Sequence, residues 1–333
     1  MKLGVHDLML KDKGTSNKEH FDNTKKLVES LDEIGYDRYW FAEHHGFDNL
    51  LSVAPEILVS YFLAKTKNMN IGTGGSMIMH YSPLKIAETF KTLTELEPGR
   101  VDLGIGRAPG CGISEKRALN NKFSEKTIDL YDEIQTIMDY LLDNNPTNPI
   151  YTNTKAVPTH NEVLVNPWIL GSTGKTAAKA AEWGLPYSFA KFFLYETSAD
   201  VFKDYKKDFK SSVFLDKPYI SISYKILISD DKEELEYLGK SFDYYHIQQT
   251  KSDFRGIVNP EELKDYHFNL NEQAILKKAY DMRYLIKGSK EEVSRILEDE
   301  IEKYYIDEIL SFSPIFGIEN RIKSYKLLKE IFD

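Results

Sequence analysis

Two adjacent histidines, His44 and His45, follow the apolar run of residues 39–42, with Glu43 between the run and the pair. Imidazoles exchange protons near neutral pH, so a histidine at the exit of a strand can act as a general base. Neighbouring strand residues point to opposite sides, so at most one of the two should face a pocket deeply, and we predict that it is His44. Together with Glu43, the pair lacks the i, i+4 spacing of a helical zinc motif, so we predict no metal site.

A second group of residues could bind an anion. Ser172, Thr173 and Thr176 stand at the start of a predicted helix, where free backbone N–H groups and the helix dipole favour negative charge. Arg107 follows an earlier predicted strand and could supply a guanidinium with bidentate geometry for a phosphate. The hydroxyl residues are also expected as plain helix caps, and Arg107 as a salt-bridge partner at a rim, so both interpretations stay open.

Gly74 and Gly75 form a third candidate feature, directly after the predicted strand 69–73. Glycines let a backbone approach a flat ligand closely, and a turn at a strand end would use them equally well. Both interpretations therefore remain.

Two nucleotide-binding motifs nearly occur and both fail. A dinucleotide fingerprint over 104–110 would need glycine where Pro109 stands. A phosphate loop ending at 174–176 would need glycine where Ile169 stands. We therefore predict neither a dinucleotide-binding fold of that type nor a nucleoside triphosphatase.

The bulk composition limits the classes of partner. The 333 residues carry a net charge of −9 and no long block of Lys and Arg, so we predict no nucleic-acid partner. Cys111 is the only cysteine, which excludes an intrachain disulfide and fits a reducing cytoplasm. His6 and Asp7 interrupt any signal-peptide core and no apolar run reaches membrane-spanning length, so we predict neither export nor a membrane partner.

Short β-branched or aromatic runs alternate with longer amphipathic segments, as in βα units around a parallel sheet. The predicted strands are 3–8, 36–42, 69–73, 101–106, 165–170, 187–190, 219–228 and 308–312. The predicted helices are 18–34, 55–65, 83–96, 115–142, 175–183, 200–209, 232–242, 290–304 and 319–332, with Ser82 and Ser289 as caps. Eight alternations predict a closed (β/α)8 TIM barrel that forms a single domain over 1–333, with a doubly wound open sheet as the alternative.

Two stretches are too long for simple connections. Residues 144–161 are rich in Asn, Pro and Thr, and residues 246–281 show no clear period. We predict irregular excursions at both places and expect them to cover the barrel mouth. Active sites of such barrels lie at the carboxyl ends of the strands, where His44, Gly74 and Arg107 would meet.

Several segments in a fixed order closely resemble the bacterial luciferase-like flavin monooxygenases. They are YWFAEHH (39–45), IGTGG (71–75), SPLKIAE (82–88), PGRVDLGIGRAPG (98–110) and GLP (184–186). The segments WILGS (168–172) and RIKSY (321–325) resemble the single-chain oxidoreductase subgroup of that family. The chain departs from the resemblance at Gly106, where luciferase has a reactive cysteine, and at Lys191, where we expected histidine.

The resemblance implies a TIM barrel that binds reduced FMN, supplied by a separate flavin reductase, and activates dioxygen as a flavin hydroperoxide. It implies a homodimer and a small organic substrate. Aromatic residues that include Trp40, Phe192 and Phe193 indicate an apolar pocket, and hence an apolar substrate, although such residues are equally expected in the core. By position the resemblance assigns catalysis to His44 and its neighbour His45. It places Gly74 and Gly75 beneath the flavin ring, often with a non-prolyl cis peptide. It assigns the FMN phosphate to Arg107, Thr173, Thr176 and the backbone of Ser172. A deazaflavin-dependent dehydrogenase and a non-catalytic flavin-storage protein are the alternatives.

Overall fold

Nine parallel strands form one sheet in the computed structural model, which describes residues 1–120, 129–193, 198–253 and 255–333. The strands are β1 (Lys2–Asp7), β2 (Arg38–Phe41), β3 (Asn70–Met77), β4 (Val101–Gly106), β5 (Asn166–Gly171), β6 (Tyr187–Ala190), β7 (Ile220–Ile228), β8 (Leu285–Gly288) and β9 (Glu308–Phe312). Consecutive strands pair from β1 to β7, and β9 pairs with both β7 and β1. Eight strands therefore close into a barrel, which confirms the predicted (β/α)8 TIM-barrel fold.

The ninth strand was not predicted. Strand β8 has four residues and pairs only with Lys225–Ile228, the last part of β7. This pairing begins at Lys225, the last residue of β7 that pairs with β9, so β8 extends the sheet near the barrel mouth without entering the closed ring.

Helices surround the barrel, and most begin within one residue of their predicted start. They are α1 (Asn17–Ile34), α2 (Pro55–Leu63), α3 (Pro83–Leu96), α4 (Ile113–Leu119), α5 (Leu130–Leu141), α6 (Gly174–Trp183), α7 (Ala199–Asp208), α8 (Lys232–Thr250), α9 (Leu270–Asp281), α10 (Lys290–Tyr304) and α11 (Ile318–Phe332). The single helix predicted over 115–142 is wrong as one element, because α4 and α5 are separate; part of that prediction, 121–128, lies outside the described residues. Within the described ranges, no helix combines the length and apolarity that crossing a membrane requires.

The two predicted excursions differ from one another: 144–161 is irregular as predicted, whereas helices occupy much of 246–281. Residues 144–161 pack against α3 and α5 on the outside of the barrel, where the side chain of Asn161 donates to the carbonyl of Lys91 at 3.1 Å. The stretch 246–281 is largely ordered, since α8 continues to Thr250 and α9 begins at Leu270. Between these helices, the backbone N–H of Ile257 donates to the carbonyl of Lys11 at 2.9 Å, beside the loop after β1. In the described part of the chain, this second stretch therefore contacts the mouth side of the barrel.

Buried charges and indole rings fill the N-terminal end of the barrel. The Nε atom of Arg38 donates to Oε1 of Glu308 at 2.5 Å, and its guanidinium also pairs with Asp102. The Cζ atom of Arg38 lies 4.3 Å from the ring centre of Trp168 and 5.3 Å from that of Trp40. These five side chains are buried, so this end is sealed and open space is left for the opposite end.

Helix α10 begins with the predicted capping box. The Ser289 hydroxyl accepts from the N–H of Glu292, whose carboxylate accepts from the N–H of Ser289. We expect Ser289→Ala to lower the free energy of unfolding in urea by about 1 kcal/mol, because one helix N–H loses its partner. Ser82→Ala is the matched control. Ser82 precedes Pro83 at the start of α3 as predicted, but its hydroxyl makes no cap hydrogen bond, so an equal loss in both variants would contradict the assignment.

Candidate active site

A cavity of about 280 Å³ opens at the carboxyl ends of the strands. Its lining combines two histidines, a run of small residues and one cation, and consists of His6, Ala42, His44, Gly74, Gly75, Met77, Gly106, Arg107, Ala108, Gly110, Leu170, Gly171, Ser172, Ala190 and Phe193. The fold thus brings five of the predicted site residues, His44, Gly74, Gly75, Arg107 and Ser172, to one cavity.

His44 reaches the cavity from the loop after β2. Its backbone N–H donates to the carbonyl of Ser52 at 3.0 Å, which fixes the main chain, and its Nδ1 atom is buried without a hydrogen-bond partner in the described structure. Burial lowers the pKa of His44 from 6.5 to about 4 against the opposing effect of Glu43. The expectation that this histidine titrates near neutrality is therefore wrong, because burial keeps the imidazole neutral at pH 7.

This pKa gives a direct test by NMR. We expect the imidazole nitrogens of His44 to keep the shifts of a neutral ring from about pH 8 down to about pH 5, and to change only as the pH approaches 4. A nitrogen-15 titration of the parent protein, assigned by the loss of signals in His44→Ala, makes the measurement. A midpoint near 6.5 would contradict the burial of this ring.

His45 turns away from the cavity and contacts Glu43. Its Nε2 atom lies 2.9 Å from Oε1 of Glu43, and that buried carboxylate also accepts from the hydroxyl of Tyr81 at 2.7 Å and from the N–H of Met77 at 2.9 Å. The network ties the loop after β2 to the end of β3. The predicted catalytic role of His45 remains a prediction, while its contacts are those of a positioning residue.

His6 is a cavity residue that the sequence analysis missed. It lies near the end of β1, almost fully buried, with Nδ1 3.1 Å from the hydroxyl of Ser223 and Nε2 against the carbonyl of Gly74. Burial lowers the pKa of His6 to about 4. The signal available in the sequence was a titratable histidine inside the predicted first strand, beside Asp7.

Gly74 and Gly75 are joined by the non-prolyl cis peptide that the resemblance implied. Neither position has room for a side chain. A Cβ on Gly74 would lie 2.9 Å from Cβ of Trp40 and 3.0 Å from Nε2 of His6, and one on Gly75 would lie 2.7 Å from the carbonyl oxygen of Gly104. Bare backbone therefore forms this wall of the cavity.

The predicted anion-binding residues meet beside the cavity. Thr173 is the N-cap of α6, and its hydroxyl accepts from the N–H of Thr176. The Nη2 atom of Arg107 donates to Oγ1 of Thr176 at 2.5 Å, and the guanidinium lies 4.4 Å from the ring centre of Tyr131. A fixed cation, two hydroxyls and the start of a ten-residue helix thus share one corner, which can bind a phosphate monoester.

The sequence model of the family described as luciferase-like monooxygenase matches residues 1–304. The chain belongs to the luciferase-like monooxygenase family. It is accordingly a flavin-dependent oxidoreductase. Two similar family members support this, a luciferase-like monooxygenase of Escherichia coli strain K12, 31% identical over 96% of this chain and 93% of its own, and the N-acetyl-S-alkylcysteine monooxygenase of Bacillus subtilis strain 168, 28% identical over 99% and 98%.

Solved structures share the luciferase-like barrel. Apo-MsnO8 superposes with a TM-score of 0.85 at 26% identity, over 99% of this chain and 98% of its own. More distant barrels at 15% and 16% identity show the fold alone. One is a 3,6-diketocamphane monooxygenase constituent of Pseudomonas putida in complex with FMN (TM-score 0.71, covering 99% and 97%), and the other an F420-dependent secondary alcohol dehydrogenase (TM-score 0.68, covering 100% and 99%). The fold therefore accommodates more than one kind of flavin.

The luciferase-like cavity of this chain has the features that a flavin needs. Besides Nδ1 of His44, the Nε atom of Arg107 and the hydroxyl of Tyr131 are buried without a partner among the described residues. Unpaired buried polar atoms are unfavourable unless a ligand satisfies them. Two of the three lie at the anion-binding corner and one at the cavity wall, so the residues present fit a ligand with a phosphate at one end.

Proposed function

We propose that this oxidoreductase is an FMN-dependent monooxygenase that uses dioxygen on a small organic substrate. The position of Arg107 carries the proposal, because this residue both lines the cavity and donates to Thr176 at the start of α6. A cation held at the cavity edge suits the phosphate of FMN. Reduced FMN, when bound, supplies the two electrons that let one oxygen atom of dioxygen enter the substrate while the other leaves as water.

In this proposal the residues divide the work. Arg107, the hydroxyls of Thr173 and Thr176, and the backbone of Ser172 hold the phosphate. The bare backbone of Gly74 and Gly75 forms the surface for the isoalloxazine ring. His44 moves a proton at its neutral imidazole, whose pKa of about 4 keeps it in the basic form at pH 7. Met77, Leu170 and Phe193 add apolar surface that excludes water from the reaction.

Cofactor preference tests the proposal. The protein is titrated anaerobically with reduced FMN and, separately, with reduced F420, and each complex is then mixed with oxygen and a panel of small organic compounds. We expect tighter binding of reduced FMN and incorporation of oxygen-18 from labelled dioxygen into one member of the panel, read by mass spectrometry. Tighter binding of F420 with transfer of hydride would indicate the deazaflavin-dependent dehydrogenase. Tight FMN binding without any oxygen-dependent product would indicate a storage protein.

We further propose that a separate flavin reductase supplies the reduced cofactor and that the protein forms a homodimer. Ile57 and Tyr61 on α2 and Leu96 at the end of α3 are 65%, 47% and 66% exposed and border one groove. Apolar side chains grouped in this way favour a protein partner, and a second copy would cover them. Sedimentation velocity of the parent protein and of Ile57→Lys distinguishes a dimer through this face from a monomer.

A further inference from the structure

Lys225 is a buried cation that the proposed reaction does not use. It lies on β7 with Leu285 of β8 and Phe312 of β9 as its register neighbours, and its side chain is fully buried. The Nζ atom lies 3.1 Å from Nδ1 of His246 and also donates to the side-chain carbonyl of Gln249. Neither partner carries negative charge, because histidine is neutral or positive and glutamine is neutral.

The other buried lysines show what is unusual about this one. Lys91 pairs with Asp143 at 2.6 Å, and Lys191 pairs with Glu300 on α10. Buried cations normally require such a carboxylate, because removing the charge from water is otherwise strongly unfavourable. Within the described ranges Lys225 has no acidic partner, so this part of the chain leaves the charge of the lysine without a carboxylate.

A second donor stands beside Lys225. The hydroxyl of Tyr245 on α8 is buried without a hydrogen-bond partner in the part of the chain that the structure describes, and the centre of its ring lies 5.8 Å from Nζ of Lys225. Only two of the three ammonium hydrogens of Lys225 have protein acceptors. The two neighbouring residues thus each carry a donor that no described acceptor uses, an ammonium hydrogen of Lys225 and the hydroxyl of Tyr245.

The position of Lys225 relates this site to the cavity. Ser223, two residues earlier on the same face of β7, contacts His6 in the cavity wall. Two residues of a parallel strand span roughly 7 Å, so Lys225 lies that much closer to the mouth. Phe192 and Phe312 pack between the two levels, with ring centres 5.6 Å apart. Gln249, which accepts from Nζ of Lys225, is half-buried, so one ligand of the buried ammonium is a side chain that reaches the protein surface.

We propose that Lys225 and Tyr245 form a subsite for the carboxylate of the organic substrate, so that the substrates are small acids with an apolar body. The oxygenation of these acids rests on the proposed function, whereas the binding of their carboxylate does not. One cation and one hydroxyl match a monoanion, whereas a dianionic phosphate would keep an uncompensated charge. The carboxylate would accept from Nζ of Lys225 in place of Gln249, and its apolar body would extend past Phe312 and Phe192 towards the cavity.

The charge state of Lys225 supports this assignment. Burial lowers the pKa of this lysine to about 7, and burial together with Lys225 lowers the pKa of His246 to about 3. The titratable groups facing Nζ are His246 and Tyr245, both from α8, while β8 and β9 present Leu285 and Phe312. The lysine is therefore charged below about pH 7 and neutral above it, so carboxylate binding should weaken as the pH rises from 6 to 9.

Sodium octanoate and octanamide are the probes, because they share an apolar chain and differ in charge. Calorimetric titration of the cofactor-free parent protein at pH 6 should show octanoate binding at least about tenfold more tightly than octanamide, the effect of one charged hydrogen bond. Lys225→Met should abolish the preference, and Tyr245→Phe should reduce it by about threefold. Lys240→Met and Tyr237→Phe are the matched controls and should keep the preference, because Lys240 is half-buried and Tyr237 is exposed on α8, the helix that carries Tyr245.

The outcomes separate this proposal from its rivals. Equal binding of the two probes by the parent, or an unchanged preference in Lys225→Met, overturns it. Loss of the preference in Arg107→Met instead would show that the carboxylate uses the anion-binding corner, which also overturns it. Thermal melting checks that each variant folds. If Lys225→Met does not fold, Tyr245→Phe provides the test. Titration of the same proteins with reduced FMN reports separately on the proposed function.

Discussion

Replacement of His44 by alanine is expected to slow oxygenation of the substrate by about 10²- to 10⁴-fold, the range of a lost general acid–base group. Affinity for reduced FMN should change little, because the phosphate corner at Arg107 and Thr176 lies on other elements. Oxygenation should slow because the variant loses a buried, neutral imidazole whose Nδ1 atom has no partner within the described chain. Single-turnover experiments with preloaded reduced FMN separate the chemical step from cofactor binding.

The adjacent histidine gives a matched control for this effect. His45→Gln removes an imidazole that contacts Glu43 but does not line the cavity, and it should retain the parent rate within a few-fold. Added imidazole should partly restore turnover in His44→Ala, since the deleted ring leaves space for it, and should leave His45→Gln unchanged. A parent-like rate in His44→Ala would exclude His44 as the proton-transfer group, whereas a large loss in His45→Gln would support the predicted catalytic role of His45.

Replacement of Arg107 by methionine should weaken FMN binding by about 10- to 100-fold, the contribution of a charged hydrogen bond to a phosphate. Riboflavin has the same ring without the phosphate, so its affinity should change less than about threefold. The comparison isolates the phosphate contact from any disturbance of the cavity wall. Equilibrium dialysis with both flavins, on parent and variant, provides the four affinities.

Two further variants check the local assignment. Thr176→Val keeps the shape of the side chain but removes the hydroxyl that accepts from Arg107, and it should weaken FMN binding by a smaller factor, about 3- to 10-fold. Lys175→Met removes an exposed neighbouring cation 5.0 Å from the Tyr131 ring and should have less effect than Arg107→Met. If riboflavin and FMN weakened equally in Arg107→Met, the guanidinium would not be the phosphate ligand.

The barrel was predictable because its strands are short apolar runs between well-marked helices. Each of the eight predicted strands corresponds to a barrel strand, and α3 and α10 have the predicted bounds. The region after β7 was not predictable in this way. In α9 only Glu272, Leu276 and Ala279 are buried, so its apolar face is too narrow to show a helical period, and β8 has only four residues.

The candidate site could be predicted where its residues follow a strand in the chain. His44, Arg107 and the start of α6 all stand directly after predicted strands. His6 and Lys225 were missed because they lie within strands, where the pleat turns them into the barrel and no local spacing marks them. Their neighbours come from distant parts of the chain, Ser223 and Gly74 for His6, and α8 for Lys225. Only closure of the barrel brings those groups together.

The buried layer of Arg38, Trp40 and Trp168 at the N-terminal end of the barrel has a consequence for the traffic of small molecules. With that end sealed, cofactor, oxygen, substrate and product share the mouth as an entrance and exit. Whatever lies deepest must arrive first and leave last, since anything nearer the mouth stands in its way. The sequence of arrivals and departures in a catalytic cycle is thus set by depth in the barrel, whatever the relative affinities of the molecules that use it.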